Sequence, residues 1–245
     1  MSNTVILIPS RLAATRLPNK PLLKINNISI INHVYKIAKS SLIGESYVAT
    51  GDKEIFEEVT KLGGKCILTK KDHKTGTDRI HEALEKLNDK SVDLVMNLQG
   101  DEPLMNVEDI RNLKDQMIKN SSQLGTLASK IPDKILFDNQ NVVKVETKKN
   151  LDKDNFPEAI NFMRKISEKK ENIYHHLGIY CYRKEVLKKF VSFKQSANEI
   201  KNNLEQLRAL DNKVRINVAL AKSSPIGVDT EEDFVAIKKI MEYNL

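Results

Sequence analysis

The chain reads as an α/β protein with a mainly parallel sheet wound by helices and a small mixed or antiparallel insertion. Two patterns predict this class. Short strand-like apolar runs alternate with helical periodicity from Val5 to Met117, joined by short connections, as in right-handed crossover units. After about Leu124 strand-like runs follow one another instead, which marks the insertion. With 245 residues, 40% hydrophobic and 30% charged, the chain suits a soluble globular protein with a substantial core. We expect a single domain over 1–245, with an insertion around 125–180 that can also support a dimer contact.

Val5-Ile-Leu-Ile8 is too short for a helix and rich in β-branched residues, so it reads as a buried strand that breaks at Pro9. Ser29 is placed to cap a helix in which Ile30, Ile31, Val34, Ile37 and Ala38 share a face. Tyr47 to Thr50 is a second strand. Ile55, Phe56, Val59 and Leu62 mark a helix stopped by Gly63-Gly64. Cys66 to Leu68 is a third strand, and the polar segment from Thr69 to Arg79 leads into a helix with Ile80, Ala83, Leu84 and Leu87 on one side. Leu94 to Leu98 is a fourth strand. A helix then starts near Asn106, with Asn106 and Asp109 as a capping pair. Beyond it, Thr126 to Ile131, Val142 to Glu146, Glu158 to Met163 and Tyr174 to Tyr182 are strand-like. A short helix covers Glu185 to Phe190, and Ile200, Leu204, Leu207 and Leu210 mark one further helix. Arg215 to Ala221 alternates as a strand, and the terminal helix packs through Phe234, Ile237 and Met241.

Composition excludes several functions. No apolar run approaches membrane-spanning length, and the first residues lead into a strand without a signal-peptide pattern, so we expect a cytoplasmic protein. Cys66 and Cys181 lie in apolar runs without a Cys-x-x-Cys partner and read as reduced thiols. The net charge of +7 would suit nucleic acid, but there is no Trp, no RNP-like aromatic pattern and no helix-turn-helix signature. We expect no nucleic-acid partner and no membrane insertion.

The chemistry concentrates after the first strand. The loop that follows carries Arg11, Arg16 and Lys20, stiffened by Pro9, Pro18 and Pro21. The first acidic residue is Glu45, which leaves the N-terminal end strongly positive. Cations at the carboxyl end of a first strand lie where such sheets place ligands, and a nucleoside triphosphate is the natural partner. Neither G-x-x-x-x-G-K-[ST] nor G-x-G-x-x-G occurs. Asp101 follows the fourth strand, and Asp229 precedes the last helix. Two such carboxylates can converge on Mg²⁺, although singly Asp101 reads as a turn residue and Asp229 as a helix cap beside Thr230 and Asp233. Thr75-Gly-Thr-Asp-Arg79 can receive a nucleotide or simply cap its helix. His176, Gly178 and Tyr180 share one strand face, and Glu205 and Gln206 lie mid-helix. These groups can bind the hydroxyls and carboxylate of a sugar acid, or be a polar strand face and the wet side of a helix.

Taken together, Ile8 to Leu22, Ala49-Thr-Gly-Asp52, Thr75 to Arg79, Gln99-Gly-Asp-Glu-Pro103, His176-Leu-Gly-Ile-Tyr180, Leu204-Glu-Gln-Leu-Arg208 and Gly227-Val-Asp-Thr230 resemble the 3-deoxy-manno-octulosonate (Kdo) cytidylyltransferases. The likeness is collinear over nearly the whole chain. It implies a Rossmann-like nucleotidyltransferase fold, a homodimer, and transfer of CMP from CTP to Kdo with release of pyrophosphate, for lipopolysaccharide biosynthesis. By motif it implies that Arg11 and Lys20 bind the triphosphate with Arg16 nearby, and that Thr75, Arg79 and Gln99 line the CTP site. It further implies that Asp101 and Asp229 hold Mg²⁺, and that Arg164, His176, Tyr180, Glu205 and Gln206 hold Kdo. Ser10 stands where that family usually has Ala, Asn19 where it has Gly, and Lys-Ile-Ser-Glu-Lys-Lys follows Arg164 where an Ile-Pro segment is usual. Two rivals remain at this level. One is a cytidylyltransferase for sialic acid or methylerythritol phosphate; the other is a non-catalytic nucleotide- or RNA-binding protein.

Overall fold

The computed structural model describes residues 3–13, 16–131, 137–166 and 171–243. They form two compact units: one runs to Glu108 and resumes at Pro225, and the other spans Asp109–Ser224.

The first unit begins with β1 (Asn3–Ser10), a 3-10 turn over Lys20–Leu22, and a small hairpin of β2 (Lys24–Ile25) and β3 (Ile28–Ser29). Next come α1 (Ile30–Ser40), β4 (Gly44–Thr50), α2 (Lys53–Lys61), β5 (Cys66–Leu68), α3 (Gly76–Leu87), β6 (Val92–Asn97) and the start of α4 (Val107–Lys119). Strands β6, β1, β4 and β5 lie side by side in that order and all run parallel. Ile6, Leu7 and Ile8 are wholly buried, as expected of a parallel strand covered on both faces.

Pro9 does not break the strand. It pairs with Ala49 inside β1, because only one ladder donor is lost so near the strand's end, and the loop begins after Ser10. Ser29 stands at the N-cap of α1, yet its hydroxyl accepts from the Asn32 side chain at 2.8 Å and makes no backbone cap. Gly63, at φ +74°, ends α2 in the left-handed conformation its sequence suggested.

The second unit holds the rest of α4, then β7 (Leu124–Ser129), β8 (Lys144–Thr147), β9 (Ala159–Met163) and β10 (Ile173–Arg183). α5 (Lys184–Ser192), α6 (Ala197–Asn202), α7 (Leu207–Asp211) and β11 (Ile216–Leu220) complete it. β10 is antiparallel to β7 and β8, β9 is antiparallel to β8, and β11 is parallel to β7, so the expected mixed region is present. The single helix read from Ile200 to Leu210 is two. Asn203 at φ 51° caps α6 in the left-handed region, and Ile200 is 65% exposed rather than part of the core. Asn tolerates that backbone through its short polar side chain, a preference the apolar spacing hides.

At the start of α4, Asn106 accepts from the Glu108 N–H at 2.8 Å. The wholly buried Asp109 carboxylate instead accepts from the N–H groups of Lys222 and Ser223, at 2.8 and 3.3 Å, and from the Ser223 hydroxyl. Beyond Pro225 the chain rejoins the first unit through α8 (Glu231–Tyr243), whose buried Ile237 packs with Leu17, Ile25, Ile30 and Val228, flanked by Phe234 and Met241 as the spacing indicated.

Candidate active site

The loop after β1 brings its last cation to two acids. Asn19 sits at φ 56°, a left-handed position that lets the chain turn into the Lys20–Leu22 segment with Pro21 buried. The Lys20 ammonium, largely shielded from solvent, meets Asp101 Oδ2 at 2.6 Å and Asp229 Oδ1 at 3.3 Å. Arg16, more exposed, reaches the other oxygen of Asp229 at 3.2 Å.

Two local features aim these carboxylates. A Cβ on Gly100 would lie 2.9 Å from the Pro9 carbonyl oxygen, so the 99–101 turn can press against the end of β1 only with glycine there. The Val228 N–H donates to the Asp101 carbonyl at 2.9 Å, which ties the segment leading to Asp229 onto that turn. Helix capping is left to other groups. Asp233 and Thr230 form a reciprocal box at the start of α8, and Asp233 also accepts the Asp229 N–H, so the Asp229 side chain is available to the cations.

A second group of contacts shapes the surrounding loops. Asp52, 3% exposed, accepts from the Leu12 N–H at 2.8 Å and pairs with Lys71 at 3.3 Å, so one carboxylate pins the loops after β1 and β5. Arg79 is buried and donates to the Thr69 hydroxyl and to the carbonyls of Lys70 and Lys71. Burial lowers its pKa, Asp52 opposes that effect, and nearby Arg11 adds to it. Thr75 caps α3, accepting from the Asp78 N–H at 3.1 Å and donating to the Asp78 carboxylate. Gln99 donates to Asn97 at 3.3 Å. Thr75 thus caps its helix, as the alternative reading of the motif had it, Arg79 instead braces the 69–71 segment, and Arg11 stands exposed at the loop's start.

In the second unit, the His176 and Tyr180 rings lie 5.5 Å apart on β10 despite a register shift between Leu177 and Tyr180. The His176 Nε2 is hydrogen-bonded to the Thr126 hydroxyl at 3.0 Å, and the Phe162 ring of β9 meets it edge-on. Burial first, then the neighbouring His175, pushes the His176 pKa down to about 3, so its imidazole is neutral at ordinary pH. Arg164 follows β9 and donates to the carbonyls of Gln140, Asn141 and Asn203, at 3.3, 3.4 and 3.5 Å. Asn203 leads into Glu205 and Gln206, which form the turn between α6 and α7 rather than the middle of a helix. α7 packs on β9, so Arg164 and that turn share a neighbourhood.

Several groups that build this region have no role that the sequence alone assigns. Arg208 and Glu199 form a buried ion pair, with Arg208 stacked on Phe190, and this pair fixes the turn carrying Glu205 and Gln206. Asp52 was visible only as the last residue of the Ala49-Thr-Gly-Asp52 motif, with no role of its own. Lys144, inside an apolar strand, gave no signal at all.

A family model described as cytidylyltransferase matches residues 5–216. The 3-deoxy-manno-octulosonate cytidylyltransferase of Thermodesulfovibrio yellowstonii is 42% identical, covering 97% of this chain and 98% of its own. That of Rhodopseudomonas palustris is 40% identical, covering 98% of each. A structure of CMP:2-keto-3-deoxy-manno-octonic acid synthetase complexed with CTP superposes with a TM-score of 0.90 at 32% identity, covering 100% of both chains. A 4-diphosphocytidyl-2C-methyl-D-erythritol synthase, at 12% identity and a TM-score of 0.65, shares the fold alone.

Proposed function

We propose, from the premise that this chain belongs to the 3-deoxy-manno-octulosonate cytidylyltransferases, the following assignment of its reaction to its residues. The enzyme transfers CMP from CTP to Kdo and releases pyrophosphate. The anomeric hydroxyl oxygen of Kdo forms a bond to the α-phosphorus, the bond from that phosphorus to the oxygen bridging to the β-phosphorus breaks so that pyrophosphate leaves with that oxygen, and the hydroxyl proton passes to solvent. Such a displacement depends on aligning the nucleophile and neutralising phosphate charge.

One observation carries the assignment of the nucleotide end: a single cation, Lys20, touches both Asp101 and Asp229. Two hard oxygen donors that already converge on a positive charge fit Mg²⁺, which commonly takes one or two carboxylates and fills its shell with phosphate oxygens and water. Asp101 and Asp229 would hold it. When bound, Mg²⁺ supplies charge neutralisation at the phosphates and acidifies a coordinated hydroxyl. Lys20, drawn to both carboxylates, and Arg16, drawn to Asp229, are the cations next to a phosphate placed there, and Arg11 extends that positive edge. Thr75, Arg79 and Gln99 belong to the CTP side, with Arg79 acting through the 69–71 segment whose carbonyls it holds.

Arg164 supplies the cation for the Kdo carboxylate, and His176, Tyr180, Glu205 and Gln206 supply hydrogen-bonding groups for its hydroxyls. His176 acts there as a neutral donor or acceptor, not as a cation. We further propose that the chain is one functional domain that works as a homodimer through the 125–180 region, where Ile160 on β9 is 49% exposed. We place it in the cytoplasm, in lipopolysaccharide biosynthesis. Its two free thiols suit a reducing compartment, and no helix among the described residues is long and apolar enough to cross a membrane.

Pyrophosphate release with Mg²⁺ tests the reaction, with CTP, ATP, GTP and UTP each tried with and without Kdo. Release is expected only when CTP and Kdo are both present. Release with CTP and sialic acid or methylerythritol phosphate in place of Kdo would replace the acceptor. Salt-sensitive RNA binding with no release from any pair would replace the enzymatic reading altogether.

A further inference from the structure

We propose that Lys144 is a positioning residue for the sugar-acid end of the site, holding the backbone at Arg164 and the 139–141 segment in the arrangement that aims the Arg164 guanidinium. The proposal rests on the reading that Arg164 receives the Kdo carboxylate.

Lys144 is fully buried and is among the largest wholly buried side chains of the described residues. From β8 its ammonium donates to the Arg164 carbonyl at 3.0 Å and to the Asn139 carbonyl. Arg164 in turn donates to the carbonyls of Gln140 and Asn141, next along the same segment, and to that of Asn203, which leads into Glu205 and Gln206. Two cations therefore brace one stretch of chain between them. The same strand region also fixes β10, since the His176 N–H donates to the Val143 carbonyl at 2.9 Å.

An ammonium in this place is costly. Burial lowers its pKa, with Asp138 opposing and Arg164 adding to the effect. Methionine or leucine would fill a similar volume without that penalty. What the ammonium supplies is charge-assisted donation to the Arg164 carbonyl and to the Asn139 carbonyl, which also accepts the Val142 N–H at 3.2 Å. Its head is spent on backbone oxygens, so its influence on the reaction passes through Arg164.

The test compares wild type, Lys144→Met, Arg164→Met and the double variant by KM for Kdo, kcat, Kd for CTP and Tm. Lys144→Met is expected to raise KM for Kdo about tenfold, because a misplaced binding group loses affinity steeply, while Kd for CTP stays within about twofold. In the Arg164→Met background the same substitution should change KM by less than about twofold, since residues acting through one group are not additive. Lys144→Gln, which keeps N–H donors, should fall between wild type and Lys144→Met. The proposal is overturned by an unchanged KM in folded Lys144→Met, by equal losses for CTP and Kdo, or by full additivity with Arg164→Met. If Lys144→Met does not fold, the Lys144→Gln comparison decides by the same criteria, and failure of both to fold assigns Lys144 to the scaffold and overturns it as well. An unchanged KM in Arg164→Met alone would instead overturn the reading of Arg164, which separates the two failures.

Discussion

Lys20 and His176 show how burial and neighbours give ordinary side chains specific work. Lys20 comes at the end of a proline-stiffened loop, and its charge is shared by two carboxylates that would otherwise repel each other. His176 is the reverse case, a titratable ring held neutral by its surroundings. Its folded pKa of about 3 lies below the unfolded value of about 6.5, so between these limits the unfolded chain binds a proton that the native protein does not. Stability is then intact above pH 6.5 and falls as pH drops through that window, by up to about 1.4 kcal/mol per unit. His176→Gln keeps a hydrogen-bonding group for Thr126 but removes the titration. Urea unfolding at pH 7.5 and pH 5 should show wild type losing about 2 kcal/mol more than the variant over that interval. Equal losses would mean that His176 is hydrated enough to take the proton.

At the scale of elements, irregular connections do the positioning. α6 and α7 are separate because Asn203 accepts a left-handed backbone, and that break presents Glu205 and Gln206 in a turn over the buried Arg208–Glu199 pair. Asp109 performs a similar task for the chain after β11, collecting three donors from Lys222 and Ser223. Asp109→Ala leaves these donors without their acceptor and should cost about 3 kcal/mol, read as a lower denaturant midpoint with an unchanged m-value. Asp109→Asn, retaining one carbonyl oxygen, should cost less. Equal stability of Asp109→Ala and wild type would show that water replaces the carboxylate. Helix periodicity alone could reveal neither feature: Asp109 reads as a capping partner of Asn106, and the leucines at 204, 207 and 210 read as one continuous face.

Across the whole molecule, what the sequence made legible was whatever local pattern decides. The parallel strands of the first unit follow from apolar runs such as Val5–Ile8, and the mixed strands of the second from the change of rhythm after Leu124. The motif residues Lys20, Asp101 and Asp229 are far apart in sequence and together in space, as their places at strand and helix ends suggested. What stayed hidden depends on long-range contacts of buried polar groups. Lys144 has no evident role until the Asn139 and Arg164 carbonyls are seen around it, nor has Asp52 until Leu12 is seen donating to it.

Asp101 and Asp229 are the carboxylates proposed to hold a divalent cation with the nucleotide. Electron paramagnetic resonance of Mn²⁺ in place of Mg²⁺, titrated into the protein with CTP, measures this without turnover. Wild type with CTP should bind Mn²⁺ more tightly than CTP alone does, and Asp101→Asn or Asp229→Asn should weaken that binding at least about tenfold while the protein stays folded. Undiminished binding in the double Asn variant would contradict the account, because the metal would then be held without the two carboxylates that Lys20 brings together.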